Sequence, residues 1–235
     1  MRASHHWSHI RAAFFDVDGT LVDSIEMVAN GLRDTIRHFA NADISRDEAK
    51  SLVGIPLAKQ VGHYCGRELN TAESAEVTAY AIQRFSTYRH LERPLDPALR
   101  AVEICRRNGL RTAAVTSRNG MEIEATWGTF AAARWLEQVI CADDVSMGKP
   151  APDSALLAAN RFDLEPRECL FIGDSIHDAQ CAKSAGCPFV AVTYGAGTFE
   201  QLAAYSPDVI IHTPEQLLAW TETELLNLSC LGKRT

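Results

Sequence analysis

The chain has no apolar run near the roughly 18 residues that a membrane-spanning helix requires, no Cys-x-x-Cys pair and no excess of positive charge. Its 23 lysines and arginines stand against 30 aspartates and glutamates, which gives a formal net charge of −7 at pH 7. Broad nucleic-acid binding requires clustered basic residues. We therefore expect no nucleic-acid and no membrane partner, and any anionic ligand needs a local cationic site.

The 7 cysteines are scattered, and several lie in apolar strand-like runs where cysteine behaves as a small hydrophobe. This usage fits a reducing compartment. Residues 1–9 are rich in histidine and lack the apolar core of a signal peptide. We predict a cytoplasmic protein, monomeric or homodimeric, with residues 1–9 as a flexible extension, because termini are poorly ordered unless they are tied down.

Short apolar runs alternate with stretches of helical pattern, and most of the runs are followed by small or polar residues. The runs are 12–15, 112–115, 138–141, 169–172, 189–192 and 209–211. This alternation predicts an α/β fold, a Rossmann-like doubly wound parallel sheet with both faces buried. Because open parallel sheets bind ligands beyond the carboxyl ends of their strands, a site is expected at those polar residues.

The interval 24–93 breaks this alternation, since its pattern is helical and contains no buried strand. Two apolar stripes are predicted, one of Ile25, Val28, Ala29, Leu32, Ile36 and Phe39 and another of Ala75, Ala79, Ile82 and Phe85. We divide the chain into an α/β core of residues 10–23 and 94–235 and a small inserted α-helical domain of residues 24–93. The alternative is that these helices simply complete the core.

The end of the inserted segment is marked by prolines. Pro94 and Pro97 close it, and the apolar pattern predicts that a helix of the core begins at residue 99 and ends at residue 107. Asn108 and Gly109 then supply a helix stop.

Two aspartates one residue apart end the first apolar run. In the segment FFDVDGT, Asp16 and Asp18 follow a buried strand and Gly19 begins a turn. Two like charges this close are costly unless a cation or a shared proton relieves them. The pair predicts a metal site and a nucleophile, whereas the alternative is an ordinary Asp/Gly turn.

Two later loops supply a hydroxyl and an ammonium group. Thr116 and Ser117 end the second apolar run, where a hydroxyl and a free N–H can bind phosphate oxygens or simply cap the next helix. Lys149, in the segment MGKPAPD, can neutralise both a phosphate and a nucleophile. A lone lysine is otherwise a surface group.

A further strand end carries two aspartates four residues apart. Asp174 is placed to reach a hard cation, and oxygen ligands suit Mg²⁺. Asp178, one helical turn later, can accept a hydrogen bond from Lys149 or from a metal-bound water. The alternative is a helix N-terminus enriched in aspartate.

These four segments, in this order, resemble the signature motifs of the haloacid dehalogenase (HAD) superfamily, in its phosphoglycolate phosphatase-like and β-phosphoglucomutase-like branch. The resemblance covers the chain outside the insert and implies that the insert is a helical cap over the active site. It also implies a Mg²⁺-dependent phosphoric monoester hydrolase, which acts on a small phosphorylated metabolite similar to phosphoglycolate through an aspartyl-phosphate.

The resemblance also implies a role for each motif residue. Asp16 would be the nucleophile and Asp18 the general acid and base. The phosphate would be bound by Gly19, Thr116, Ser117 and Lys149. The metal ligands would be the Asp16 carboxylate, the Asp18 backbone carbonyl and Asp174.

Three other functions are consistent with parts of the pattern. A β-phosphoglucomutase-like phosphotransferase shares all four motifs and differs in cap contacts. A phosphonoacetaldehyde hydrolase needs a cap lysine, from whose place Lys59 is offset. A non-catalytic phospho-acceptor protein of the response-regulator kind uses a shorter chain. The cap cations Lys59, Arg67 and Arg89 would either meet a second anionic group or lie in solvent.

Overall fold

The computed structural model describes residues 7–53, 55–127 and 134–226. In this part of the chain, the main sheet consists of β1 (Ala12–Phe15), β4 (Arg111–Val115), β5 (Gln138–Ile140), β6 (Cys169–Gly173), β7 (Phe189–Val192) and β8 (Val209–Ile211). These 6 strands are parallel and lie in the order β5-β4-β1-β6-β7-β8. The predicted doubly wound α/β fold is confirmed, with strand limits within a residue of the apolar runs.

The central strand β1 is buried on both sides, as parallel sheets require. Successive side chains of a strand point to opposite faces, so Phe15 packs in one apolar cluster and Phe14 in another. The helices of the core are α5 (Asp96–Arg107), α6 (Gly120–Trp127), α7 (Asp153–Arg161), α8 (Ile176–Ala185), α9 (Phe199–Ala203) and α10 (Pro214–Trp220).

Helix α5 begins earlier than predicted. It starts at Asp96 rather than at residue 99, and Pro97 lies in its first turn. Proline is compatible with that place because the first N–H groups of a helix have no partner within the helix and the fixed φ of proline is already helical. The prediction that Pro97 lies before the helix was wrong.

The described part of the inserted segment consists of helices joined by short loops. Its helices are α1 (Ile25–Ala40), α2 (Arg46–Ser51), α3 (Leu57–Cys65) and α4 (Thr71–Tyr88), followed by a 3-10 turn at Arg89–Leu91. The chain enters and leaves through a small antiparallel pair, β2 (Val22–Asp23) and β3 (Arg93–Pro94). Side chains of these helices form a third apolar cluster.

The two predicted stripes differ in how well they match burial. In α1, the stripe residues Ala29, Leu32 and Ile36 are fully buried. In α4, Ala75 and Ala79 are exposed, whereas Val77 and Ala81 are buried against α1. The prediction was wrong for Ala75 and Ala79, because alanine has too little apolar surface to decide which side of a helix is buried, whereas Ile82 and Phe85 of the same stripe are half-buried.

The N-terminal segment is partly built into the core. Trp7–His9 form a 3-10 turn, and the Trp7 ring is buried edge-on against Trp220, with ring centroids 5.5 Å apart. Residues 7–9 therefore do not form the predicted flexible extension, because this aromatic contact holds them in place. Residues 1–6 lie outside the described part. Among the described residues, 6 cysteines are free thiols, and none of the helices is long and apolar enough to span a bilayer.

Candidate active site

Most of the predicted site residues meet at the carboxyl edge of three adjacent strands. Asp16 follows β1, Thr116 follows β4 and Asp174 follows β6, and these strands lie side by side in the sheet. Lys149 reaches the same place from the loop before α7. Residues far apart in the chain are therefore brought together by the sheet order.

Lys149 is the centre of the site, with only 1% of its surface exposed. Its Nζ donates to Asp16 Oδ1 at 2.6 Å, to Asp178 Oδ1 at 2.6 Å and to the Val115 carbonyl at 3.1 Å. An ammonium group has three donors, so all of them are used. Burial would lower the pKa of Lys149, but the two carboxylates outweigh it and raise that pKa.

Asp178 contacts Lys149 and also stabilises the first turn of α8. Its Oδ2 accepts hydrogen bonds from the N–H and the hydroxyl of Ser175, at 3.0 and 2.6 Å. The Ser175 Oγ in turn accepts the N–H of Asp178, which completes a capping box at the start of α8. Of the two partners predicted for Asp178, the structure places it against Lys149.

Three buried carboxylates form a group that suits a metal ion. One oxygen from each of Asp16, Asp174 and Asp178 lies within 4.8 Å of the other two. Burial raises the pKa of Asp16 to about 7, and burial with the neighbouring Asp16 and Asp178 carboxylates raises the pKa of Asp174 well above its usual range. Lys149 offsets one of three negative charges. The residues present therefore fit a hard, oxygen-seeking cation.

Gly19 holds a position that only glycine can occupy. Its φ is +82°, and a Cβ atom there would lie 2.2 Å from Asp174 Oδ2. Its N–H donates to the Val22 carbonyl at 2.7 Å. Glycine at this position allows the first loop to approach Asp174, and the contact of Gly19 with phosphate stays a prediction.

Thr116 and Ser117 lie where β4 opens toward the site. The Thr116 Oγ1 accepts the N–H of Arg118 at 3.1 Å, and the Thr116 N–H donates to the Ile140 carbonyl at 3.0 Å. A hydroxyl that accepts in this way keeps its own proton for donation. Ser117 lines the cavity beside Asp16. Ser117 therefore shares the cavity wall with Asp16, whereas Thr116 is buried at the end of β4.

The Asp18 side chain lies against a buried arginine. Arg118 donates from Nε to Asp18 Oδ2 at 2.8 Å and from Nη2 to Asp18 Oδ1 at 2.5 Å. Ser24, which precedes α1, also donates its hydroxyl to Asp18 Oδ1. The same Arg118 Nη2 contacts Glu92 Oε1 at 3.0 Å. The site therefore contains a second buried ion cluster on the cap side.

Arg118 sets the protonation of Asp18. Burial alone would raise the pKa of Asp18, but the charge and hydrogen bonds of Arg118, with the Ser24 hydroxyl, outweigh burial and lower that pKa. Sequence reasoning missed Arg118. The available signal was its place directly after Thr116 and Ser117 at the end of a buried strand.

A cavity of about 850 Å³, including its open mouth, lies between Asp16 and the cap. Arg89 is in its lining. Arg67 instead pairs with Glu73 at 2.6 Å on the outer surface of the cap. Asn119 at the start of α6 donates to the Thr78 hydroxyl at 3.4 Å and so links the core to α4. A ligand held at Asp16 would be covered by the cap.

The chain is thus an α/β protein with a buried acidic, lysine-containing site at the carboxyl edge of its sheet. It belongs to the haloacid dehalogenase-like hydrolase family, whose model matches residues 13–192. The chain is 30% identical over 210 residues to the phosphoglycolate phosphatase of Yersinia pseudotuberculosis serotype I (strain IP32953), covering 86% of this chain and 89% of that protein. It is 24% identical over 211 residues to the pyrophosphatase PpaX of Bacillus velezensis, covering 89% and 95%.

A solved structure with the same fold is that of a hydrolase from Pseudomonas syringae. The two structures superpose with a TM-score of 0.77 at 22% identity, covering 88% of this chain and 96% of that one. CbbY from Rhodobacter sphaeroides, solved in complex with phosphate, gives a TM-score of 0.74 at 21% identity, covering 88% and 96%. These likenesses concern the fold.

Proposed function

We propose that the protein is a Mg²⁺-dependent phosphatase, which hydrolyses a small phosphorylated metabolite of the phosphoglycolate kind through an aspartyl-phosphate. The observation that carries this proposal is the buried Lys149 ammonium, held 2.6 Å from Asp16 at the floor of a cavity. A cation beside a carboxylate lets a phosphate dianion approach that carboxylate. The phosphoglycolate phosphatase relatives support the same reaction.

In the first half of the reaction, an Asp16 carboxylate oxygen attacks phosphorus opposite the ester oxygen. The bond from phosphorus to that oxygen breaks, and the departing alcohol takes a proton from Asp18. The Thr116 hydroxyl and the Ser117 N–H hold the other phosphoryl oxygens, and the Lys149 ammonium offsets their negative charge, since phosphoryl transfer depends mainly on positioning and charge neutralisation.

In the second half, a water molecule attacks the phosphorus of the aspartyl-phosphate. Asp18, now a carboxylate, takes a proton from that water, and the bond between phosphorus and Asp16 breaks. Inorganic phosphate leaves, the Asp16 carboxylate returns and Asp18 again carries a proton. Asp18 must therefore alternate between its protonated and ionised forms.

The Asp16 carboxylate, the Asp18 backbone carbonyl and Asp174 would hold Mg²⁺. When bound, the ion would supply positive charge for the phosphoryl oxygens and fix their position. Asp178 is left out of this set because Lys149 and Ser175 already occupy its two oxygens.

The metal requirement is tested by hydrolysis of p-nitrophenyl phosphate with Mg²⁺ and with EDTA. We expect activity with Mg²⁺ that EDTA removes and that added Mg²⁺ restores. Activity that persists in EDTA would contradict the metal requirement. Transfer of phosphate to a second sugar phosphate in place of release to water would favour the mutase over the hydrolase.

The Asp18–Arg118 contact makes a prediction about pH dependence. In Arg118→Gln the lost positive charge raises the pKa of Asp18, so Asp18 stays protonated at higher pH. We expect the alkaline limb of the kcat/KM profile to move upward for an alkyl phosphate, whose leaving alcohol needs a proton. Profiles of both enzymes, measured alongside p-nitrophenyl phosphate, check this shift.

The matched control for this prediction is Arg67→Gln, which removes an equivalent guanidinium from the exposed pair with Glu73. Arg67→Gln should leave the pH profile of kcat/KM unchanged. An unchanged alkaline limb in Arg118→Gln would contradict control of Asp18 by Arg118.

A further inference from the structure

Glu92 lies where the chain leaves the cap, directly before β3. Its N–H donates to the Arg89 carbonyl at 3.0 Å, which ends the 3-10 turn after α4. On the other side, β3 pairs with β2, the strand that follows the loop of Asp18. The backbone before and after Glu92 is therefore held by hydrogen bonds, so Glu92 has a fixed place beside the loop that carries Asp18.

The Glu92 carboxylate shares one guanidinium group with Asp18. Arg118 Nη2 contacts Glu92 Oε1 at 3.0 Å and Asp18 Oδ1 at 2.5 Å, while Arg118 Nε donates to Asp18 Oδ2 at 2.8 Å. The side chains of Glu92, Arg118 and Asp18 are 5%, 8% and 13% exposed. A guanidinium is planar and its N–H groups have fixed directions, so a second carboxylate on the same nitrogen restricts how the plane can turn. Glu92 therefore fixes the orientation of the group that holds Asp18.

The Asp18 carboxylate, although it is held, can still accept a proton. Asp18 is in the lining of the cavity together with Asp16. Among the described residues, its Oδ2 accepts one hydrogen bond, from Arg118 Nε, and a carboxylate oxygen can accept two. A general base needs this combination of a fixed place and a remaining acceptor site. The arrangement suits the second half of the proposed reaction, in which Asp18 takes a proton from water.

We infer that Glu92 is a positioning residue for hydrolysis of the aspartyl-phosphate. It holds Arg118, and Arg118 holds the Asp18 carboxylate in the place from which Asp18 takes a proton of the attacking water. In that step the water oxygen bonds to phosphorus, its proton goes to Asp18 and the bond from phosphorus to Asp16 breaks. The inference rests on the phosphatase reaction proposed above and adds to it a residue that lies outside the four sequence motifs.

The first test compares Glu92→Met with the wild type on p-nitrophenyl phosphate in the presence of Mg²⁺. The p-nitrophenolate ion leaves without a proton, so kcat/KM, which covers the steps up to its release, should stay within about twofold of the wild type. The value of kcat should fall about tenfold, and KM should fall with it, because hydrolysis of the aspartyl-phosphate becomes slower. Stopped-flow mixing should show a burst of about one p-nitrophenolate per enzyme. An equal fall in kcat and kcat/KM, or no fall in either, would overturn the inference.

Two conservative variants separate the position of Glu92 from its charge. Glu92→Gln keeps an oxygen that accepts from Arg118 Nη2 but carries no charge, and its kcat should stay within about threefold of the wild type. Glu92→Asp keeps the charge but is one methylene shorter, and its kcat should fall as in Glu92→Met. Should Glu92→Met fail to fold, Glu92→Asp carries the test. The reverse result, with Glu92→Gln slow and Glu92→Asp unaffected, would overturn the positioning role.

A double variant tests whether Glu92 acts through Arg118. In the Arg118→Gln background, Glu92→Met should lower kcat no further, whereas independent, additive losses would contradict the inference. Glu103→Met is the matched control, since it removes a partly exposed carboxylate from its 2.9 Å pair with Arg107 within α5 and should leave kcat and KM unchanged.

The two hypotheses fail in different ways. If the wild type hydrolyses no p-nitrophenyl phosphate with Mg²⁺, the proposed phosphatase is wrong. If the wild type is active and Glu92→Met has the same kcat, only the role of Glu92 is wrong. Thermal melting of each variant beside the wild type separates a folding defect from a change in the hydrolysis step.

Discussion

Asp16→Asn is expected to lower turnover by at least about 10⁴-fold, because the amide cannot form the acyl phosphate that a carboxylate forms. Asparagine has the same shape, and its side-chain oxygen still accepts from Lys149 Nζ, so the fold should persist. The free energy of unfolding should be equal or higher, since the substitution removes one of three crowded carboxylates. Burial of the Asp16 carboxylate is already unfavourable, because it raises the pKa of Asp16 to about 7. Steady-state hydrolysis and thermal melting check both parts.

A nucleophile must be distinguished from a metal ligand, because loss of either would abolish turnover. Wild-type enzyme quenched in acid during turnover and then reduced with borohydride should contain homoserine at position 16, detected by mass spectrometry. Asp96→Asn, an exposed aspartate at the start of α5, is the matched control and should retain full activity. Retained turnover in Asp16→Asn, or homoserine at another aspartate, would contradict the nucleophile assignment.

The strands of the sheet and the site residues Asp16 and Asp174 could be predicted because their signals in the sequence are local. A buried parallel strand is a short apolar run, and Asp16 and Asp174 directly follow such runs. The apolar runs coincide with β1, β7 and β8 and differ from β4, β5 and β6 by one residue. The sheet order was not predicted, and in the structure it brings these strand ends together.

The remaining features depend on contacts that sequence does not contain. The role of Arg118 requires that Asp18 turn toward the cap, and the role of Gly19 requires the approach of Asp174 to within 2.2 Å of a Cβ position. Likewise, the orientation of the buried Gln60 amide depends on the Ile55 carbonyl, which accepts a hydrogen bond from its Nε2. Each is a long-range or loop-dependent contact, which periodicity cannot predict.

Lys149→Met is expected to cost both activity and stability. Methionine fills a similar space but leaves Asp16 and Asp178 buried without their shared cation. Removal of one partner from a buried ion pair costs about 3–5 kcal/mol. Turnover should also be lost, because a substrate phosphate would meet uncompensated carboxylates. Urea unfolding in EDTA gives the free energy of unfolding, and p-nitrophenyl phosphate gives the activity.

The loss of stability in Lys149→Met should grow with pH. Lys149 opposes the rise that burial and Asp178 impose on the pKa of Asp16, so its removal raises that pKa further. A carboxyl group whose pKa is higher in the folded than in the unfolded protein favours the folded state at low pH. That contribution to stability is lost as the pH rises through the pKa of the folded state. We therefore expect a larger deficit at pH 8 than at pH 6.

Two further variants separate the structural role of Lys149 from its catalytic role. Lys50→Met removes a partly exposed lysine from its 2.6 Å pair with Glu26 and should cost less than about 1 kcal/mol. Lys149→Met combined with Asp178→Asn removes one of the unpaired carboxylates and should recover part of the stability but none of the turnover. Stability unchanged at pH 8 in Lys149→Met would contradict the proposed charge balance, because the buried carboxylates would then need no cation.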